Sequence, residues 1–133
     1  MNQITGSRPP AVMAAATLVF GLAIYAALLS VGHLGVEVPV LSALGPGGSR
    51  VVLVAGIVFA VGALVYAVIG IGLLRLHGWA WAAGVVVSAL GVLSGIGQFR
   101  GAGSLVGILL SLAVLLVLLT PQARAQLRRQ RER

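Results

Sequence analysis

The chain has no cysteine, no lysine and no aspartate, and charged residues make up only 8% of it. Without a thiol there is no disulfide, no thiolate nucleophile and no cysteine-based metal site. The acidic side chains are Glu37 and Glu132 alone, and no nucleophile–base pair, phosphate-binding loop or metalloprotease signature occurs anywhere. The Gly45-Pro46-Gly47-Gly48 cluster is no phosphate cradle, because no lysine follows it. These absences point away from an enzyme and leave no expected catalytic residue, cofactor or metal.

What the sequence has instead is length without charge. Ala11 to Gly32, Val51 to Leu74, Trp79 to Phe99 and Gly101 to Ala123 carry no ionised side chain. Each reaches the ~20 residues that cross a hydrocarbon core about 30 Å thick. An arginine or carboxylate at the centre of such a helix costs about 2.5–3.5 kcal/mol, so four clean windows are not accidental. The apolar fraction of 59% lies outside the range of soluble domains. The expected fold class is all-α, an integral membrane four-helix bundle that is antiparallel and up-down. One domain is expected over residues 1–133, with spans near 11–32, 51–74, 79–99 and 101–121 and a basic tail at 122–133. The first stretch is longer than the ~7–15-residue core of a signal peptide and has only Arg8 before it, so it reads as a retained span.

The connections are mostly short. Ser7-Arg8-Pro9-Pro10 reads as a helix entry. Pro39 and the Gly45–Gly48 cluster mark turns in the longest connection, whose conformation the sequence does not choose. Arg75-Leu76-His77-Gly78 forces spans two and three into a hairpin, and Gln98-Phe99-Arg100 does the same for spans three and four. Four spans put both termini on one side. That side holds Arg8, Arg75, Arg124, Arg128, Arg129, Arg131 and Arg133, against Arg50 and Arg100 on the other. The positive-inside rule then predicts cytoplasmic termini in a cell membrane. The tail arginines are expected to anchor this topology or to attract anionic lipid; no aromatic interleaving suggests nucleic acid.

Within the spans the most ordered signal is the placement of small residues. Span two carries Gly56, Ala60, Ala63, Ala67 and Gly70 along one face, and span three carries Ala80, Gly84, Ser88, Gly91 and Gly95. Span one has a looser set in Ala16, Ala23, Ala27 and Ser30, and span four has Ser104, Gly107 and Ser111. Lipid gives little hydrophobic drive between helices, so backbones approach where side chains are small. These faces are expected to pack the helices of one chain, with an intermolecular seam on span three as the alternative.

The exit Gly72-Leu73-Leu74-Arg75, the opening Gly78-Trp79-Ala80-Trp81, and Leu119-Thr120-Pro121 with Arg124 form a recognisable set. They resemble a loose group of small four-helix bacterial membrane proteins of unknown function, common in high-GC Gram-positive genomes. The likeness covers residues 70–127 and implies the four-span bundle, with no activity or ligand attached.

Polar groups inside the spans are few: Thr17, Tyr25, Tyr66, Ser88, Ser94 and Ser111. Hydroxyls of serine and threonine bond one turn back and fit anywhere in a membrane helix. Ion-coupled transporters place an ionisable group within the membrane, and none lies deep in these spans; small multidrug transporters share the length but need a first-helix glutamate that is missing here. His33 and Glu37 would share a face only if the first helix ran through both, and two ligands fall short of a metal site. His77 beside Arg75 reads as a snorkelling or headgroup-facing pair. The expected role is therefore a non-enzymatic accessory or structural subunit, with membrane lipids and another membrane protein or itself as partners. The alternative is a minimal channel or transporter formed by an oligomer.

Overall fold

The computed structural model describes residues 10–37, 39, 53–97 and 102–125, and among them there is no strand. The elements are α1 (Pro10–His33), α2 (Leu53–Leu74), α3 (Gly78–Gly97) and α4 (Ala102–Leu119). Three of them, α1 to α3, are long and apolar enough to cross a membrane by length and composition, and on that ground the protein is membrane-embedded. With 18 residues, α4 is the shortest. It stops before the expected limit at 121 because the chain bends at Thr120, whose Oγ1 donates to the Val117 carbonyl (2.7 Å). Residues 121–125 then resume the helix, with Pro121 at a first-turn position that needs no N–H.

Helix ends follow local chemistry. At the end of α1, Gly35 sits at φ 91° and the backbone closes through Val36 N–H to Val31 O (3.3 Å) and Gly35 N–H to Gly32 O (3.2 Å). This is the Schellman arrangement, with glycine in the left-handed position. The helix therefore ends before Glu37, which is exposed. His33 and Glu37 do not share a helical face; the His33 Nδ1 instead pairs with the Leu29 carbonyl at 2.7 Å. The end of α2 closes the same way, through His77 N–H to Gly72 O and Leu76 N–H to Leu73 O, both 2.9 Å. Here the left-handed residue is Leu76, at φ 59°.

Helix α1 has the most extensive contacts. It packs most extensively on α2 and also meets α4, while α3 packs mainly on α4 and the α2–α3 contact is the smallest of these. The burial of the apolar windows follows, at 39% for α1 against 22% for α2 and 17% for α3. The buried cluster joins Val12, Ala15, Ala16, Val19 and Leu22 of α1 to Ile69 and Leu73 of α2, Ala80 of α3, and Val114 and Leu118 of α4. Its members come from the end of the molecule where α1 starts and α2 stops.

Candidate functional site

Two places gather what little chemistry the described residues hold: a seam of small residues between helices, and a rim of arginine, histidine and tryptophan at one end.

The seam on α3 is built by glycines against side chains of α4. A Cβ at Gly84 would stand 2.9 Å from Leu118 Cδ1, and one at Gly91 would stand 2.7 Å from Ser111 Oγ and 3.2 Å from the Tyr66 hydroxyl. At Gly95 the space is taken by Ile108. Glycine leaves these volumes to side chains of the neighbouring helices. The Tyr66 hydroxyl pairs with the Ser111 side chain, so these two groups satisfy each other beside Gly91. Ser88, between Gly84 and Gly91 on the same face, is 1% exposed, and its Oγ has no hydrogen-bond partner among the described residues.

On α2 the small residues divide. Gly56 is buried against Leu34 and the Ser30 carbonyl, and Ser30 Oγ donates to Gly56 O at 2.7 Å. Gly70 lies under the Phe20 ring, whose atoms stand 3.0–3.1 Å from a Cβ built there. Ala63 and Ala67 are half-buried, and Ala60 is exposed. The contact line passes instead through Phe59, whose ring meets that of His33 at 5.2 Å between centroids. The steps from Gly56 to Phe59 and from Gly56 to Ala60 both fit the 3–4 spacing of two helices wrapped together, so spacing alone does not choose between the two faces. On α1, Ala16, Ala23 and Ser30 are buried, and Ala27 is exposed.

One contact had no counterpart in the sequence reading. The Tyr25 hydroxyl donates to the Gly103 carbonyl, and its ring lies 3.3 Å from a Cβ built on Gly107. The Gly103-x-x-x-Gly107 spacing on α4 was the available signal. It is the slot into which a tyrosine of α1 fits.

The rim lies at the other end of α2 and α4. Trp81 Nε1 donates to the Leu118 carbonyl at 2.8 Å, and the Arg124 guanidinium carbon stands 5.9 Å from the Trp81 ring, within cation–π range. Beside them, Arg75, His77 and Trp79 line a groove of about 430 Å³ with Val68, Ile71 and Gly72. Arg124 is exposed; Arg128, Arg129, Arg131 and Arg133 lie outside the described residues, as do Arg50, Arg100 and the Gly45–Gly48 cluster. Among the described residues no three His, Asp or Glu side chains come together around a common point. No protein-family model matches the chain, and neither a curated protein nor a solved structure is similar to it.

Proposed function

We propose that the chain is a single four-span membrane domain that works by packing rather than by chemistry: a small accessory or structural subunit that binds another membrane protein or a second copy of itself. The observation that carries this reading is the filled seam. Where a conduction path would run between α3 and α4, the space beside Gly84, Gly91 and Gly95 is taken by Leu118, Ser111 and Ile108, and the Tyr66 hydroxyl is engaged with Ser111. Ser94, a candidate for lining a wet path, is exposed on the outside of α3.

The same reading has the helices antiparallel and the termini on the cytoplasmic side of the cell membrane. Its support is the order of contacts: Gly84 with Leu118, Gly91 with Ser111 and Gly95 with Ile108 run in opposite directions along α3 and α4. Ser30 with Gly56 and Phe20 with Gly70 do so along α1 and α2. Arg75 and Arg124 fall at one end, with the start of α1, which is the arrangement that the positive-inside rule assigns to the cytoplasm.

Flux through proteoliposomes holding the purified chain tests the functional part. Packing predicts no ion conductance above that of empty vesicles, and a selective conductance would replace this reading with an oligomeric channel. A reporter fused after Arg133 and active only in the cytoplasm tests the orientation; activity only outside the cell reverses it.

A further inference from the structure

We propose that the groove at the turn between α2 and α3 is a specific site for the phosphate headgroup of an anionic phospholipid. The proposal rests on the membrane reading above and adds a defined place on the protein surface.

The groove is built by the close of α2. Leu76 in the left-handed conformation reverses the chain within three residues and leaves Arg75 and His77 lining one groove on either side of it. Gly72 sets the back wall: a Cβ there would stand 2.7 Å from Ala80 Cβ and 3.0 Å from Trp79 Cζ2. The indole can lie against the α2 backbone only because that side chain is missing. The His77 and Trp79 rings, tilted with centroids 6.5 Å apart, line the groove together with Val68 and Ile71.

Charge decides the occupant. Arg75 brings a permanent cation with a fork of donors suited to phosphate, and His77 brings ring nitrogens to the same lining. Glu37, the one carboxylate among the described residues, lies beyond the other end of α2. An anion therefore meets complementary charge and no repulsion here. The apolar side of the groove, Val68 and Ile71, belongs to a helix face whose exposed residues also include Leu64 and Val65. A ligand with a phosphate at one end and acyl chains at the other matches both halves, whereas a free phosphate uses only one. Tryptophan and arginine at the end of a span also place the site at headgroup depth.

The test uses the full chain in phosphatidylcholine vesicles with and without phosphatidylglycerol, followed by native mass spectrometry of the lipid each protein retains. Wild type is expected to retain phosphatidylglycerol in preference to phosphatidylcholine. Arg75→Gln should lower that preference roughly fivefold, as expected for loss of one arginine at the surface, and His77→Gln should lower it to a smaller extent through loss of a hydrogen-bonding ring. Arg124→Gln, at the same end but outside the groove lining, should lower it less than Arg75→Gln does. Equal retention by wild type and both groove variants overturns the site. So does an equal loss in Arg124→Gln, which would mark a diffuse field, and so does displacement of the lipid by inorganic phosphate. Vesicle flotation separates the two layers of argument: a chain that fails to float defeats the membrane reading, and one that floats without lipid preference defeats the groove alone.

Discussion

At the scale of single residues, identical side chains sit in opposite circumstances, and that sets the sign of their substitution. Ser30 donates to the Gly56 carbonyl across α1 and α2, while the buried Ser88 hydroxyl has no partner among the described residues. A made hydrogen bond contributes about 0.5–1.5 kcal/mol, and a buried hydroxyl without one costs about 1–3 kcal/mol. Ser30→Ala should therefore destabilise by about 1 kcal/mol, and Ser88→Ala, which puts a methyl in nearly the same volume, should stabilise by a similar amount. Denaturant titration in detergent micelles reads both, and a loss at Ser88 would mean that its hydroxyl is engaged after all. Glycines divide likewise. Gly91→Ala must push Ser111 Oγ away from 2.7 Å and disturb the Tyr66–Ser111 pair, with an expected cost of about 1–3 kcal/mol. Gly21 and Gly62 have open space around an added Cβ, so alanine there should raise stability by about 0.5–1 kcal/mol through backbone entropy and helix propensity. If all three changes shift the unfolding midpoint alike, the seam has no special geometry.

At the scale of elements, the paired Schellman closures make a sharper comparison. Gly35 takes its left-handed conformation at no steric cost, whereas Leu76 does so against a penalty of about 1–2 kcal/mol. The Leu76 side chain packs against the buried cluster, which offsets that strain. Leu76→Gly relieves strain and loses packing, so its net effect should stay within about 1 kcal/mol. Leu76→Val keeps a branched carbon in the strained position and should cost about 2 kcal/mol. Thermal melts followed by circular dichroism would show the order, and equal melting points for the two variants would remove strain from the account. The closures also mark what the sequence could tell. The spans were legible to within a residue or two because charges in hydrocarbon are expensive: α1 runs Pro10–His33 against a charge-free window of Ala11 to Gly32, and its exact stop is set by Gly35. Which face meets which helix was less legible, since alanine and glycine occur on every side of these spans and lipid supplies no polar contrast. The contact line through Phe59 and the Tyr25–Gly103 bond both depend on how α1 lies across α2 and α4, and that is set by all the helices together. Leu76 as a helix stop carries no sequence signal, because glycine is the residue expected there.

At the scale of the whole molecule, packing is uneven from end to end. The buried cluster draws on the first half of α1 and the last residues of α2 and α4. In α3, Ala80, Gly84 and Ser88 are buried and nothing beyond them is; in α4 the buried positions are Ser111, Val114 and Leu118. The tight end is the one that carries Arg75, Arg124 and both tryptophans, so the rim sits where the described residues are most closely packed. Neighbouring leucines of α4 provide the test. Leu118 is 1% exposed and fills the space over Gly84, while Leu116 is 60% exposed on the outer face. Leu118→Ala removes packing that nothing else can supply and should cost about 2–5 kcal/mol. Leu116→Ala only exchanges a side chain for acyl chains of equal polarity, so its cost in a bilayer should stay below about 0.5 kcal/mol. In bicelles, unfolding midpoints for the pair would measure the difference. A cost at Leu116 comparable to that at Leu118 would mean that another protein surface, and not lipid, covers α4.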